Sequence, residues 1–126
     1  MGLQLSTPIL VVDDVRAVVT IVRDLLRQLG FEDVDDAGDG AAALGRLRLK
    51  KYGLVISDWS MAPMTGYDLL RHVRADANLR AMPFIMVSAE ARMEDVVAAK
   101  KAGVSTYILK PFNAETLKAK IAGVFG

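Results

Sequence analysis

Ile9-Leu10-Val11-Val12-Asp13-Asp14 is the stretch on which the reading of the fold turns. Four consecutive apolar, mostly β-branched residues are too few for a helix, and they run straight into two acids. An unbroken apolar run of this kind marks a strand buried on both faces, whereas a strand with one wet face alternates. The same shape recurs downstream. Leu54-Val55-Ile56-Ser57 leads into Asp58, Pro83-Phe84-Ile85-Met86-Val87 into Ser88, and Tyr107-Ile108-Leu109 into Lys110-Pro111. A weaker, acidic strand is expected from Asp33 to Ala37 and suits a sheet edge.

Helical patterns fill the intervals. Val18, Val22, Leu25, Leu26 and Leu29 fall on one face of a helix that Gly30 closes. Asp39-Gly40 turns into a helix carrying Ala41, Leu44 and Leu47, and the loop from Ser60 to Gly66 leads to one with Leu69, Leu70 and Val73 inward. A weaker, Ala-rich helix over about Met93 to Ala102 stops at Gly103, and the last packs Leu117, Ile121 and Val124. Five strand–helix units in succession imply an α/β domain, a parallel sheet with helices on both faces.

The 126 residues suffice for one domain, 1–126, with one continuous core. A 52% apolar and 25% charged composition is that of a compact chain, and 16 basic against 15 acidic residues leave +1. That balance lacks the clustered basic face of a nucleic-acid binder. No cysteine is present, which excludes disulfides and thiolate metal sites and suits a cytoplasmic location. No apolar run approaches the ~20 residues of a membrane span. The start, Met1-Gly2-Leu3-Gln4-Leu5-Ser6, formally fits a myristoylation pattern, but no polybasic second signal follows, so no membrane attachment is expected.

Asp13, Asp14, Asp58, Ser88 and Lys110 each stand at the carboxyl end of an expected strand. In an open parallel sheet those ends converge on one crevice. Any one of the acids alone is as well explained as a helix cap, Lys110 as a surface lysine and Ser88 as a cap. Their joint placement on four strand ends is not. Three convergent carboxylates repel unless a cation intervenes. Oxygen donors without His or Cys select a hard ion, and Mg²⁺ fits because it needs only one or two direct carboxylates beside water and a phosphate oxygen. A carboxylate flanked by Mg²⁺, ammonium and hydroxyl is a receptor for a phosphoryl group.

Leu10-Val11-Val12-Asp13-Asp14, Ile56-Ser57-Asp58-Trp59-Ser60-Met61, Val87-Ser88-Ala89-Glu90 and Lys110-Pro111-Phe112 together resemble the receiver domain of bacterial two-component response regulators. The likeness spans essentially the whole chain. The Ser57-Asp58-Trp59 context and the segment from Tyr107 to Phe112 resemble most closely the chemotaxis branch. The resemblance implies a flavodoxin-like (βα)5 doubly wound sandwich with strand order 2-1-3-4-5, an order that comes with the family and not from the pattern of runs. It implies Asp58 as phosphoacceptor from a sensor histidine kinase. Asp14, Asp58 and the main-chain carbonyl of Ser60 become direct Mg²⁺ ligands, with Asp13 acting through a bound water. Lys110 becomes the phosphate-binding lysine, followed by a cis bond to Pro111, and Ser88 and Tyr107 the switch pair.

On the same resemblance the chain is a monomeric phospho-accepting switch and not a conventional enzyme. With no DNA-binding or enzymatic domain expected after Gly126, its output is by contact, to a flagellar-motor switch protein or phosphatase. A phosphate shuttle or sink between kinases, or a regulator of another enzyme, is the alternative. Three departures from the family pattern stand out. Pro63 comes one residue late in Met61-Ala62-Pro63-Met64, Thr65 stands where an acid is common, and Ser60 replaces an Asn. With Glu90, Ser60 is the candidate for setting the lifetime of the phosphoryl group.

Two other families share the architecture or the chemistry. A flavodoxin needs a Ser/Thr/Gly phosphate loop where this chain has Asp13-Asp14-Val15-Arg16. A haloacid-dehalogenase phosphatase needs an acid two residues after its nucleophile, where this chain has Ser60. His72, the only histidine, is expected on a solvated helix face. The six methionines are expected mostly as core filler, except Met61 and Met64 near the site mouth. Arg46 to Lys51 reads as a solvated helix end.

Overall fold

A computed structural model describes residues 4–90 and 92–125. Met1, Gly2 and Leu3, which open the myristoylation pattern, and Gly126 lie outside the described residues. The chain runs β1 (Ile9–Val12), α1 (Arg16–Gln28), β2 (Val34–Ala37), α2 (Gly40–Leu49), β3 (Leu54–Asp58), α3 (Gly66–Ala75), β4 (Phe84–Ser88), α4 (Met93–Ala102), β5 (Thr106–Leu109) and α5 (Ala114–Phe125). The five strands form one parallel sheet in the order β2-β1-β3-β4-β5, as the resemblance implied.

Each central strand faces two cores, which is why its sequence does not alternate. In β1, Leu10 and Val12 face a core built with α2 and α3, around Leu44, Leu69, Leu70, Val73 and Phe84. Ile9 and Val11 face the opposite core, with Val22, Leu26, Leu117 and Ile121 of α1 and α5. Successive side chains on a strand point to opposite faces, so burial of both requires every residue to be apolar. Strand order reverses at β1, which has β2 on one side and β3 on the other, and this opens a crevice at the carboxyl ends of β1 and β3.

The stripe of α1 differs by one residue from the sequence reading. Val19, Val22 and Leu26 are its buried members, while Val18, Leu25 and Leu29 pack partly buried beside them. The helix is rotated so that Val19 is fully buried, a choice that periodicity leaves open among adjacent valines. Gly30 follows α1 with φ of 100°, and Gly103 ends α4 with φ of 95°, left-handed positions that favour glycine. Met61 is buried in the core with α2 and α3, and Met93 is exposed, an exception to the reading of the methionines as core filler. His72 is exposed as expected.

The acidic second strand is indeed the edge, and cations clamp its carboxylates from both helical layers. Asp36 accepts hydrogen bonds from Arg16 at 2.7 Å and Arg23 at 2.6 Å, both on α1. Asp35 accepts from the Tyr52 hydroxyl and from Lys50 at 2.9 Å, and Lys50 also reaches Asp33 at 2.9 Å. Arg46 to Lys51 is therefore not solvated throughout, since Lys50 bridges the end of α2 to the edge of the sheet. The pairing keeps charge on the edge without leaving it unpaired.

The Arg16 hydrogen bond, opposed by burial and reinforced by Arg23, holds the Asp36 carboxyl below the usual carboxylate range. A group with a depressed folded pKa stabilises the fold above its unfolded pKa of about 3.9, and loses that contribution as pH falls through the folded value. Asp36→Asn should therefore lower the urea midpoint at pH 7. As the pH falls below about 4 the gap to wild type should close. A gap of equal size at pH 3 would mean that the clamp does not act through charge.

Candidate functional site

The order reversal places the ends of β1, β3, β4 and β5 around one crevice. β1 releases the chain into Asp13 and Asp14. Asp13 is buried, and its Oδ1 accepts from the main-chain N–H of Val15 at 2.9 Å. That bond is what remains of the helix-cap reading, because the N-cap of α1 is Val15, with no side-chain cap. Asp14 is exposed, at the rim of the crevice. Asp58, the last residue of β3, is buried. One carboxylate oxygen from each of Asp13, Asp14 and Asp58 can be chosen such that all lie within 4.8 Å of one another.

Lys110 arrives from the end of β5. Its ammonium donates to Asp58 Oδ1 at 2.8 Å and to Asp13 Oδ2 at 3.3 Å. Its main-chain N–H bonds the Ser88 carbonyl at 2.8 Å, and the Lys110–Pro111 peptide is cis. The lysine is thus tied to the neighbouring strand end at the backbone and to two acids at its tip.

Three carboxylates against one ammonium leave a formal charge of −2, which one divalent cation cancels. Burial above all pushes the Asp58 carboxyl up, and the Asp13 and Asp14 charges add to this, against the Lys110 hydrogen bond. Burial by itself would lower the Lys110 pKa, but the hydrogen bond and charge of Asp58, with Asp13, outweigh it and raise the value. An ion pair alone would draw the Asp58 pKa down. The Asp58 carboxyl is raised all the same, because burial and the two neighbouring acids outweigh the one ammonium beside it. The donor set is oxygen only, within reach of a single hard ion. The residues fit Mg²⁺.

Ser88 closes β4 and is buried. Val87 pairs in register with Asp58, so Ser88 stands one residue beyond the acid on the adjacent strand. Its Oγ accepts from the Glu90 N–H at 3.2 Å, and the Glu90 carbonyl in turn accepts from the Tyr107 hydroxyl at 3.1 Å. Ser88 and Tyr107 are therefore joined through one residue. The Glu90 carboxylate points elsewhere, to Arg92 at 2.8 Å, and Ser60 lies exposed in the loop after β3.

Two features of the loop leading to α3 escaped the reading of the sequence. Thr65 is the N-cap of α3. Its hydroxyl accepts from the Asp68 N–H at 3.1 Å, and the Asp68 carboxylate accepts from the Thr65 N–H at 3.2 Å. The signal was there: Thr65-Gly66-Tyr67-Asp68 has the Ser/Thr-x-x-acid spacing of a capping box. Gly66 is the other. Its N–H bonds the Trp59 carbonyl at 2.9 Å, and a Cβ on it would lie 2.0 Å from the Asp58 carbonyl oxygen. The late proline, Pro63, follows a cis bond from Ala62.

The geometry has close parallels. Residues 9–122 match the family model described as the response regulator receiver domain. Over 117 residues the chain is 45% identical to a protein of Vibrio cholerae serotype O1 named chemotaxis protein CheY-3, covering 93% of this chain and 90% of that protein. It is likewise 45% identical over 117 residues to the chemotaxis protein CheY of Pseudomonas aeruginosa, covering 93% and 94%. Among solved structures, Vibrio cholerae CheY4 superposes with a TM-score of 0.89 at 31% identity, covering 95% of this chain and 99% of that one. On its sequence, its sheet order and its acidic crevice, the chain belongs to the response regulator receiver domain family.

Proposed function

We propose that residues 1–126 form a receiver switch of a two-component phosphorelay, in which Asp58 accepts a phosphoryl group from the phosphohistidine of a sensor kinase. The observation that carries this reading is the crevice itself: a buried carboxylate with an ammonium 2.8 Å away, inside a group of three acids that one divalent ion can bridge. An Asp58 Oδ attacks phosphorus as the P–N bond breaks, and the histidine nitrogen keeps the bonding electrons. Asp14, Asp58 and the Ser60 carbonyl would hold Mg²⁺ directly, and Asp13 would act on it through water. When bound, the ion would supply positive charge to offset that developing on the phosphoryl oxygens.

Lys110 begins on Asp58 and can follow the charge outward onto a phosphoryl oxygen. Ser88 supplies a hydroxyl donor. The Ser88 Oγ now accepts from the Glu90 N–H, and drawing it toward a phosphoryl oxygen would pull on that bond. Glu90 is also the residue that fastens the Tyr107 hydroxyl, so release of one end loosens the other. This couples phosphorylation to the ring of Tyr107 and to the face made by α4, β5 and α5. Lys100, Lys101 and Lys118 are exposed there and Lys120 is half-buried, beside exposed Met93, Val97 and Leu109. Such a surface suits a partner segment that is acidic with apolar anchors.

The relatives are named as chemotaxis proteins, and in that role the modified face would engage a flagellar-motor switch protein, with a phosphatase to reset the signal. A shuttle or sink between kinases would use the same acceptor and differ only in what the modified face captures. The protein acts in the cytoplasm, as a monomer. Among the described residues no helix is long and apolar enough to cross a membrane. Ser60 and Glu90 flank the crevice and set how long the phosphoryl group survives. Trp59 adjoins the acceptor and is the chain's one tryptophan. Its fluorescence should change on adding Mg²⁺, and again on adding a small phosphodonor such as acetyl phosphate. A wild-type protein silent to both would refute the assignment.

A further inference from the structure

Trp59 stands between two tyrosines. Its ring stacks on Tyr67, with centroids 5.3 Å apart and planes 21° from parallel, and Tyr107 lies 6.3 Å away at 53°. Both ring distances fall within the range over which aromatic pairs attract beyond their buried area. The backbone under Trp59 cannot shift readily. Its N–H is bonded to the Val87 carbonyl at 2.9 Å, and its carbonyl accepts from Gly66 at 2.9 Å. Any movement of the indole is therefore a movement of its side chain.

Tyr67 is fixed from the other side. It sits in the first turn of α3, one residue past Gly66 and inside the Thr65–Asp68 capping box. One turn on, the Arg71 guanidinium lies 5.9 Å from the Tyr67 ring centroid, a cation–π distance. The Tyr107 ring, by contrast, is half-buried, and its hydroxyl is held by the Glu90 carbonyl. Of the three rings, Tyr107 is tied to the loop that must rearrange, and Tyr67 to the helix that need not.

We propose that Tyr67 is a positioning residue for the switch: stacked on Trp59, it keeps the indole against Tyr107 and biases the unphosphorylated chain toward the arrangement seen here. The proposal rests on the reading of Asp58, Ser88 and Tyr107 given above. Without the Tyr67 ring the indole can swing into the vacated space over α3, and Tyr107 loses its aromatic neighbour. The resting arrangement then loses support while the phosphoryl site is untouched. Less free energy is needed to leave it, so a phosphoryl mimic binds more tightly.

The test uses the full chain and beryllofluoride with Mg²⁺, titrated by Trp59 fluorescence in wild type, Tyr67→Phe and Tyr67→Leu. The half-saturation point does not depend on baseline intensity, which these changes will alter. Tyr67→Leu should bind about two- to tenfold more tightly, the scale of one aromatic contact, and Tyr67→Phe should match wild type because the stack survives. A purely structural role for Tyr67 would lower thermal stability without tightening the midpoint. Should Tyr67→Leu fail to fold, Tyr67→Met carries the same expectation. An unchanged or weaker midpoint overturns the proposal, as does an equal shift in Tyr67→Phe, which would trace the effect to the hydroxyl. A wild type that does not respond overturns the Asp58 assignment itself, whereas a responsive wild type with an unshifted Leu variant overturns only the role of Tyr67.

Discussion

Asp58→Asn should abolish phosphoryl uptake from acetyl phosphate or a phosphorylated kinase, with a loss on the order of a thousandfold or more, the scale seen when a nucleophile is removed outright. An amide oxygen has no negative charge to spend on phosphorus, and no other carboxylate in the crevice can replace it. Asp13 is engaged with Val15 and Lys110, and Asp14 sits exposed at the rim. The protein should nevertheless stay folded. Burial and two neighbouring acids make the Asp58 charge a cost to the fold, which Lys110 offsets only in part. The variant retains a partner for Lys110 in Asp13, 3.3 Å away. What it should lose is stabilisation by Mg²⁺. A ligand bound only to the native state stabilises by about 2.7 kcal/mol at a hundred times its dissociation constant. Wild-type thermal stability should rise with added Mg²⁺, and that of Asp58→Asn far less. Labelled phosphate retained at wild-type levels in the variant would place the acceptor elsewhere.

Gly66→Ala should be the most damaging small substitution near the site. The new methyl would lie 2.0 Å from the Asp58 carbonyl oxygen, 2.9 Å from its carbonyl carbon and 3.0 Å from the Met86 sulfur. The first two are backbone atoms of a central strand with neighbours on both sides, so neither can retreat. The start of α3 must move instead, at the expense of the Gly66–Trp59 hydrogen bond and the capping box beside it. We expect a loss of about 3 kcal/mol or more, beyond the usual cost of overpacking because the obstacle is main chain, together with slower phosphoryl uptake as Asp58 is displaced. Gly45 provides the control. It lies within α2 with nothing within 4 Å of an added Cβ, so Gly45→Ala should stabilise by about 0.5–1 kcal/mol through helix propensity alone. Urea unfolding of the two variants should give opposite signs. If Gly66→Ala is as stable as wild type, the close approach of α3 to the end of β3 is not as described.

The resemblance and the strand-end residues together anticipated the sheet and the principal side chains of the crevice. Asp58 and Lys110 are 52 residues apart in sequence and meet at 2.8 Å, yet each could be recognised because an apolar run pointed at it. The misjudged details share a cause. Val19, left out of the expected stripe, is fully buried in α1 while Val18 is only partly so, and Lys50 clamps two carboxylates at the sheet edge. Each depends on the rotation or reach of an element against a neighbour distant in sequence, about which a local pattern is silent. The capping box of Thr65 and Asp68 was legible and overlooked.

By itself the chain determined its strands, its helices and the end of the sheet at which chemistry collects, because burial on two faces demands uninterrupted apolar runs and polar residues then accumulate where the runs stop. Only the tertiary structure decided that three carboxylates and one ammonium crowd into a space a divalent ion can balance, that Gly66 must lack a side chain, and that Trp59 is held between Tyr67 and Tyr107. Those are facts of distance between segments that the backbone brings together. Charge balance, close approach and ring stacking change over an ångström or two, a scale that no order of residues along a chain specifies.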